Sequence, residues 1–360
     1  MQEQKEQDIQ LKAMIPRLLL WFQENGRELP WRTGRDAYRI WISEIMLQQT
    51  RIEAVKPYYA RFMKELPDIR SLAEVEEERL LKLWEGLGYY SRARNLKKCA
   101  MTVMEQHGGR LPADYEALKK LPGIGPYTAG AIASIAYGIA VPAVDGNVLR
   151  VMARALASRE DITNASVKKN WEQLLLRHMP PGQPGELNEA IMELGETICI
   201  PGGRPLCKDC PLRDLCQGHC LGIEEQLPVK APKKARRKEQ RTILILLYEE
   251  EGRCLVGIRK RPNKGLLAGL YELPSLEGHL PPEELQRRLP ALGLKAAGAV
   301  AVEEARHIFS HVEWDMTGYI IELTSRPETD AFLFVEKDEL RDRYALPTAF
   351  RAFRRYITEK

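Results

Sequence analysis

The sequence predicts two folded parts, an all-α region followed by a smaller α+β domain. From residue 7 to about residue 200, apolar residues recur every three or four positions, and the breaks between these runs fall at proline or glycine. After about residue 242 the pattern changes to short β-branched and apolar runs around turns. A chain of 360 residues has the length for two or three domains with their own cores.

The N-terminal segment is predicted to be an amphipathic helix. Leu11, Ile15, Leu18 and Phe22 fall on one face of this helix. The chain has no run that approaches the ~18 to 20 apolar residues of a membrane span, and its start lacks the apolar core of an export signal. We therefore expect a cytoplasmic protein that does not bind membranes.

The segment LPGIGPYTAG at residues 121–130 joins two helical patterns and predicts a short helix–hairpin–helix. Gly123 and Gly125 permit positive φ and close backbone approach, and Pro126 suits the first position of the second helix. The N–H groups of Gly123, Ile124 and Gly125 are then expected to point at an anion near a helix N-terminus. A plain tight turn between two helices is the alternative interpretation.

Two carboxylates stand out in the all-α region. Glu44 lies among apolar residues in IWISEIML, so burial should raise its pKa, as a general acid requires. The alternative is an exposed glutamate on an amphipathic helix. Asp145 precedes a helix in AVPAVDGNVLRVMARAL, where an aspartate is most often an N-cap.

Cysteines at 199, 207, 210 and 216 close the all-α region, separated by seven, two and five residues. Clustered thiols in a cytoplasmic chain indicate a metal site, and both zinc and a [4Fe–4S] cluster accept four thiolates. Cys220 is a fifth candidate ligand. Cys99 and Cys254, each isolated in the sequence, are expected to be buried thiols.

A basic segment follows the cysteines. Residues 229–241, VKAPKKARRKEQR, carry seven Lys or Arg residues and one Glu, while the whole chain has a net charge of only +4. A solvated linker is the simpler interpretation, and contact with phosphates is the alternative.

The α+β domain is predicted from its turns. TILILLYEEEGRCLVGIRKR reads as a β-hairpin around EEEG, further strand-like runs continue to AFLFVEKDEL, and ELQRRLPAL predicts a helix.

Several motifs together resemble one enzyme family. LPGIGPYTAG, VDGNVLR at 144–150 and the spaced cysteines resemble the helix–hairpin–helix DNA glycosylases of the endonuclease III superfamily. WISEIMLQQTR at 41–51 and WEGLGYYSRARNL at 84–96 are similar to the MutY-type adenine DNA glycosylases within it. RKRPNKGLLAGLYELPSLEG resembles the start of a Nudix fold, which the C-terminal domain of that family has, although the catalytic Nudix signature is missing.

The resemblance implies a multidomain fold: an all-α helix–hairpin–helix glycosylase domain with an iron–sulfur cluster module, then an α+β Nudix-like domain. Residues 1–225 would form the catalytic region, with a six-helix domain at about 30–137 and the cluster-bearing module at 1–29 and 138–225. Residues 226–241 would be the linker, and residues 242–360 the Nudix-like domain that recognises 8-oxoguanine.

The same resemblance assigns the catalytic groups. Glu44 would protonate adenine at N7. Asp145 would face the sugar, where it would stabilise an oxocarbenium-like cation electrostatically or trap it covalently. Asn147 would lie beside them. Superfamily members that also cut the strand use a lysine where this chain has Tyr127, and a phenol cannot form the required Schiff base. The implied enzyme therefore releases the base without strand cleavage, although Tyr127 is also compatible with a core aromatic.

Further residues are implied to contact DNA, since a base inside a duplex must be flipped out before it can react. The adenine pocket would be lined by Arg27, Leu29, Trp31, Arg32 and Glu189. Gln49 and Tyr89 would wedge into the base stack beside Gln48, with Thr50 and Leu87 near the opposite base. A Phe309-Ser310-His311 triplet would read 8-oxoguanine, and the hairpin would hold a backbone phosphate.

The cluster assignment has one departure from the family. The family spacing is six, two and five residues with a [4Fe–4S] cluster, so this chain carries one extra residue in CIPGGRPLC.

The implied function is excision of adenine paired with 8-oxoguanine or guanine in double-stranded DNA by a monomeric enzyme. The alternatives are a bifunctional glycosylase with lyase activity, a non-catalytic DNA-binding iron–sulfur protein and a Nudix hydrolase.

Overall fold

The computed structural model describes residues 2–232, 235–327 and 329–358. The chain divides into two compact units. The helical unit comprises the residues up to Glu74 together with Asn95–Pro232, and the sheet unit comprises Val75–Arg94 together with the described residues after Pro232. Within the described ranges, every helix is too short or too polar to span a membrane.

The first 232 residues form helices in their described part, without a strand. Their bounds are α1 Gln2–Asn25, α2 Ala37–Leu47, α3 Ile52–Glu65, α4 Ile69–Glu74, α5 Glu77–Leu83, α6 Ser91–Gln106, α7 Tyr115–Lys120, α8 Pro126–Ala131, α9 Gly146–Ala155, α10 Ala165–Arg177, α11 Pro184–Thr197 and α12 Gln217–Cys220.

The core of the helical unit confirms the amphipathic N-terminal helix. Leu11, Ile15 and Leu18 of α1 are buried, and Phe22 is partly buried against the same core. They pack with apolar side chains of α9, α10 and α11, among them Trp171. The apolar face of α1 thus covers α9, which Asp145 caps and which carries Asn147, and α11, which carries Glu189.

The predicted hairpin joins α7 to α8. Gly123 has φ +75°, and a Cβ atom there would lie 2.6 Å from Cβ of Asn95, so both the backbone conformation and the close approach require glycine. Gly125 precedes α8, and Pro126 occupies its first turn. Beyond α8 the chain continues as a π-helix, Ile132–Ala136.

The sheet unit contains a segment that the sequence analysis placed in the all-α region. Val75–Arg94, which holds α5 and the turn that follows it, groups with the C-terminal residues rather than with the helical unit. The other elements of this unit are β1 Arg237–Glu250, β2 Arg253–Lys260, β3 Tyr271–Glu272, β4 Ser275–Glu277, α13 Pro282–Arg288, β5 Ala296–Ile308, β6 Val312–Leu323, β7 Leu333–Glu336, α14 Lys337–Arg343 and α15 Arg355–Thr358.

The sheet is mixed, with the strand order β3-β2-β1-β6-β5. β1 and β6 are parallel, from the Arg237–Val312 pair to the Tyr248–Leu323 pair, and β5 and β6 are antiparallel. β4 pairs with β1, and β7 pairs with β2. β1 and β2 form the hairpin that the sequence predicted around EEEG.

Both faces of β1 are covered, which explains its continuous apolar run. Ile243 and Ile245 pack on one face with Trp314 and a set of C-terminal aromatic residues. Leu244 and Leu246 pack on the other face against α13 and its flanking residues. A strand buried on both faces needs no alternation of polar and apolar side chains.

The predicted linker, residues 226–241, is shorter than expected, because β1 already begins at Arg237. Its charged residues pair along the strand: Glu239 contacts both Arg237 and Arg241. The residues before β1 include Lys233 and Lys234 of the basic segment, which lie outside the described residues.

Candidate active site

A cavity of about 450 Å³ opens in the helical unit between α2, α8, α9, α10 and α11. All four candidate catalytic residues line it, as do the residues expected to contact adenine and those from the end of α2. The lining includes Arg27, Leu29, Trp31, Arg32, Glu44, Gln48, Gln49, Thr50, Tyr127, Asp145, Asn147, Lys168, Glu189, Met192, Glu193 and Glu196.

Glu44 is the buried acid of this cavity. Glu44 is 7% exposed, and α2 places apolar neighbours on both sides of it. Burial raises the pKa of Glu44 to about 7, partly offset by a hydrogen bond that Tyr127 Oη donates to Glu44 Oε2. The buried interpretation of Glu44 is therefore the correct one, and near neutral pH the group can hold or release a proton.

Tyr127 is a partner of Glu44 and not simply a core aromatic. Burial raises the pKa of Tyr127 far above its ordinary value, and the nearby charges of Glu44 and Asp145 add to this effect. The phenol therefore stays protonated and donates its hydrogen. Its oxygen also lies 3.8 Å from Met192 Sδ.

Asp145 serves both as an N-cap and as a lining residue of the cavity. Its Oδ1 accepts a hydrogen bond from Val148 N at 2.8 Å, which caps α9, and its Oδ2 accepts from Asn147 Nδ2 at 2.9 Å. Burial raises the pKa of Asp145, while the backbone hydrogen bonds lower it. The cap fixes the carboxylate in one orientation at the end of the helix.

Asn147 is held from three sides. Its Nδ2 also donates to Glu196 Oε1 at 3.1 Å, and its Oδ1 accepts from Arg150 Nη2 at 2.6 Å. A Cβ atom on Gly195 would lie 2.7 Å from Cβ of Asn147, so α11 approaches this residue closely. Asn147 therefore has little freedom to release Asp145.

The expected adenine pocket is built around ion pairs. Arg32 Nε lies 2.8 Å from Glu189 Oε1, and Arg32 Nη2 lies 2.9 Å from Glu193 Oε2. Arg27 also pairs with Glu193, whose side chain is 1% exposed. Burial would raise the pKa of Glu193, but the hydrogen bonds and charges of the two arginines offset it and leave the pKa lowered.

The remaining members of the expected pocket differ in burial. Leu29 and Trp31 are buried and pack into the wall, where the Trp31 ring meets Tyr59 edge-on at 5.2 Å. Burial raises the pKa of Glu189, while Arg32 lowers it. The cavity thus offers both apolar walls and paired charges to a ligand.

The two expected wedge residues share an unusual backbone conformation. Gln49 has φ +60° and Tyr89 has φ +47°, a region that costs a non-glycine residue about 1–2 kcal/mol. Such conformations cluster at functional sites. Gln49, with Gln48 and Thr50, lines the cavity of the helical unit, while Tyr89 belongs to the sheet unit.

A second cavity, of about 580 Å³, lies in the sheet unit. Tyr89 Oη lies 2.6 Å from Ser310 Oγ at this cavity, so the expected wedge and the expected lesion reader are in contact. The residues lining it include Gly86, Leu87, Gly88, Tyr89, Gly265, Leu266, Leu267, His307, Phe309, Ser310, His311, Pro347 and Thr348.

The Phe309-Ser310-His311 triplet is the turn between β5 and β6. Phe309 N donates to Val312 O at 2.8 Å and closes the turn. The Phe309 ring meets His307 at 4.6 Å and Trp314 at 4.9 Å, both edge-on. Phe309 therefore anchors the turn by packing, and Ser310 and His311 are exposed.

One expectation about the hairpin is wrong. Gly123 and Gly125 are exposed as expected, but Ile124 is buried and its N–H donates to Leu121 O at 3.2 Å. This amide is already used inside the turn, so Ile124 does not offer it to an anion.

The four spaced cysteines gather in one place. Burial raises the pKa of Cys210 to about 12, with additional effects from Cys199, Cys216 and Cys207, so the other three thiols lie near it. Arg154 Nη1 donates to Cys199 Sγ at 3.3 Å. Four thiols with a cationic donor fit an iron–sulfur cluster or another metal that binds thiolates.

Two further groups lie beside one of these thiols. The ligand atoms of Cys207, His219 and Glu224 lie within 4.8 Å of one another. Cys220 is exposed, and its Sγ lies 3.9 Å from Asp214 O. Of the isolated cysteines, Cys99 is buried as expected, but Cys254 is exposed because it lies at the start of β2 beside a turn.

Several lining residues were missed by the sequence analysis. Glu193 and Glu196 follow Glu189 on one face of α11 at helical spacing, and that periodicity is the signal that would have found them. Lys168 comes from α10, for which the sequence offered no functional motif. Arg150, one turn after Asn147, was also missed; it acts on the site by donating to Asn147 Oδ1.

Comparison with known protein families agrees with this architecture. A family described as HhH-GPD superfamily base excision DNA repair protein matches residues 42–176, and the NUDIX domain family matches residues 243–355. These matches confirm the predicted fold class of a helix–hairpin–helix domain followed by a Nudix-like domain. The iron–sulfur module remains a prediction.

Individual relatives extend over most of the chain. The adenine DNA glycosylase of Mus musculus is 37% identical over 89% of this chain and 72% of the mouse protein. The adenine DNA glycosylase of Homo sapiens is also 37% identical, over 82% of this chain and 64% of the human protein. The solved structure of a thermostable thymine-DNA glycosylase aligns with a TM-score of 0.54 and 28% identity, covering 59% of this chain and 97% of that one.

Proposed function

Because the chain belongs to the family of adenine DNA glycosylases, we propose that it excises adenine paired with 8-oxoguanine or guanine from double-stranded DNA, without cutting the strand. The chain is a DNA glycosylase enzyme of base excision repair. The observation that carries the finer proposal is the joint placement of Glu44, Tyr127 and Asp145 at one cavity.

The proposed reaction uses the two carboxylates differently. Protonated Glu44 donates its proton to N7 of a flipped adenine, and the bond between N9 and C1′ breaks with its electron pair going to the base. The sugar is left as an oxocarbenium-like cation, which the Asp145 carboxylate stabilises. Water then adds its hydroxide to C1′ and passes its other proton to the Glu44 carboxylate, which is thereby reprotonated, so that atoms and charge balance.

The pKa of the acid supports this division of roles. A carboxyl group with a pKa of about 7 is protonated in a useful fraction of molecules near neutral pH. Burial leaves the pKa of Asp145 raised, and the hydrogen bonds from Val148 N and Asn147 Nδ2 oppose this rise by favouring its ionised form. Two carboxyl groups in one cavity are thus suited to act as acid and anion.

Selection of the opposite base is proposed for the sheet unit. 8-Oxoguanine differs from guanine by an O8 acceptor and by a proton on N7. Ser310 can donate or accept, and His311 can do both through its two nitrogens. The contact between Ser310 and Tyr89, which would enter the base stack, supports a role for this turn at the lesion.

The four cysteines are proposed to hold a [4Fe–4S] cluster with a structural role. Cys199, Cys207, Cys210 and Cys216 supply four thiolates, and Arg154 stabilises negative charge on Cys199. A zinc site is the second candidate, favoured by His219 and Glu224 beside Cys207. An anaerobically purified protein that is brown supports the cluster, and a colourless protein with about one equivalent of zinc contradicts it.

One assay tests the enzymatic proposal. Purified protein is incubated with a duplex that carries a single adenine opposite 8-oxoguanine, guanine or thymine, and the strands are analysed with and without alkali. We expect cleavage only after alkali, with A:8-oxoguanine and A:guanine as substrates and A:thymine intact. Strand cleavage without alkali would instead indicate lyase activity, and Lys168 at the cavity would be the amine to examine.

A further inference from the structure

We propose that Glu85 is a positioning residue that holds Tyr89 beside Ser310 and thereby sets the preference for the damaged opposite base. The inference rests on the proposed function of the Ser310 turn. Glu85 was assigned no role by the sequence motifs, and it lies four residues before Tyr89 in the same segment of the sheet unit.

Glu85 is a largely buried carboxylate with three partners, its side chain being 14% exposed. Its Oε1 accepts hydrogen bonds from Leu346 N at 3.1 Å and from Arg354 Nη2, and its Oε2 lies 2.6 Å from Lys82 Nζ. Both carboxylate oxygens are therefore engaged. Removing one partner of a largely buried ion pair costs more free energy than removing one partner of an exposed pair.

The partners of Glu85 are themselves tied to the C-terminal segment. Lys82 Nζ donates to Tyr344 O at 3.0 Å, and Arg354 Nη2 donates to Leu346 O at 2.6 Å. Glu85 thus joins the turn after α5 to residues 344–346. The next two residues, Pro347 and Thr348, line the same cavity as Tyr89 and Ser310.

Two hydrogen bonds with Trp84 close the turn that runs from Glu85 to Tyr89. Gly86, Gly88 and Tyr89 all have positive φ, of 104°, 71° and 47°. Leu87 N donates to Trp84 O at 3.1 Å, and Trp84 Nε1 donates to Gly88 O at 3.1 Å. A displacement of Glu85 is therefore expected to move the Tyr89 ring and not only the backbone beside it.

Removing the charge of Glu85 would leave Lys82 and Arg354 close together without their shared anion. Like charges then repel, and the segment that carries Tyr89 is expected to separate from residues 344–346. Tyr89 is a proposed wedge and lines the cavity of the sheet unit, whereas the proposed acid and anion line the cavity of the helical unit. We therefore expect slower excision on both duplexes, with the larger loss on A:8-oxoguanine, and a narrower ratio of the two rate constants.

The test compares Glu85→Gln, Tyr89→Phe and the double variant in the full-length protein. Single-turnover excision is measured on A:8-oxoguanine and A:guanine duplexes at fixed salt. We expect Glu85→Gln to narrow the ratio of the two rate constants by about three- to tenfold, as expected for the loss of one hydrogen bond. Glu336→Gln, which breaks an exposed ion pair with Arg253 in the same unit, is the matched control and should leave the ratio unchanged.

The double variant separates positioning from general stabilisation. Tyr89→Phe removes the hydroxyl that contacts Ser310, so if Glu85 acts through that contact, the double variant has the same ratio as Tyr89→Phe alone. If the effects of Glu85→Gln and Tyr89→Phe on the ratio of the two rate constants multiply in the double variant, the proposal is overturned. If Glu85→Gln does not fold, Arg354→Lys, which keeps the charge but loses the bifurcated geometry, is expected to narrow the ratio in the same direction.

A second measurement separates a failure of the positioning proposal for Glu85 from a failure of the proposed function. If the wild-type protein shows no preference for A:8-oxoguanine, the assigned lesion recognition fails. The positioning role is then judged by amide hydrogen exchange of residues 86–90. Faster exchange in Glu85→Gln supports the anchor, and unchanged exchange contradicts it.

Discussion

The two cavities of this protein differ in the kind of side chains that form them. The cavity of the helical unit is lined by carboxylates and arginines, and several of these charges are buried and paired. The cavity of the sheet unit is lined mainly by glycine, leucine and aromatic residues with a few polar groups, most of them neutral and one of them the charged Arg94. Charged groups in a site shielded from water are suited to stabilise developing charge, whereas neutral polar groups are suited to distinguish hydrogen-bond patterns.

The largest expected effect comes from the carboxylates of the first cavity. Glu44→Gln removes the acid, and Asp145→Asn removes the anion while keeping an N-cap for α9. Each should lower single-turnover excision by roughly 10²–10⁴-fold, with duplex binding retained. Glu53→Gln on α3, which breaks an exposed ion pair with Lys56, is the control. Retained activity in either variant would limit that carboxylate to a structural role.

A smaller effect is expected from the second cavity. Changing Ser310 and His311 together to alanine should narrow the preference for A:8-oxoguanine over A:guanine by roughly ten- to a hundredfold, because hydrogen bonds to a base edge contribute about 1–3 kcal/mol. Excision from A:guanine should remain. His279→Ala, an exposed histidine of the same unit, is the control. If the ratio of excision from A:8-oxoguanine to excision from A:guanine does not change, then Thr50, Leu87 or Tyr89 must distinguish the opposite base.

The smallest effect is expected from Tyr127→Phe, which changes the acid without removing it. The hydrogen bond from Tyr127 lowers the pKa of Glu44, so its loss should raise that pKa above about 7. The protonated acid is the active form, and activity is lost as pH rises through its pKa, so this loss should occur at higher pH in the variant. If the high-pH limb of the pH–rate profile moves up by about one pH unit, the ratio of kcat/KM at about pH 8 to kcat/KM at about pH 6 rises roughly fivefold over that of the wild-type protein.

The control for this profile is Tyr137→Phe, because the Tyr137 hydroxyl donates to Leu111 O and not to a carboxylate. Its pH profile should match that of the wild-type protein. A Tyr127→Phe profile that moves to lower pH would show that Glu44 is not the group observed.

The sequence predicted the local environment of two carboxylates of the first cavity. Apolar residues on both sides of Glu44 indicated a buried acid, and the burial of this residue confirms it. The position of Asp145 before a helix indicated an N-cap, which the hydrogen bond from Val148 N confirms. Both features depend on neighbours in sequence, although for Glu44 the local pattern also allowed an exposed glutamate and the family resemblance favoured the buried acid.

Features that depend on distant contacts were not predictable in the same way. The segment with Glu85 reads as part of the helical region, but its carboxylate contacts residues 261 and 269 positions away. Arg154 likewise reaches Cys199 across 45 residues. Likewise, the exposed start of β2 at Cys254 follows from strand pairing, which its isolated position in the sequence did not reveal.

The left-handed backbone at Gln49 and Tyr89 has a consequence for engineering this protein. Asparagine adopts that conformation more readily than glutamine or tyrosine, so Gln49→Asn and Tyr89→Asn should relieve strain and increase thermal stability. A library selected only for survival after heating would enrich such replacements. Because the same two side chains are the proposed wedges, the selected population would become more heat-resistant while losing its ability to open the duplex.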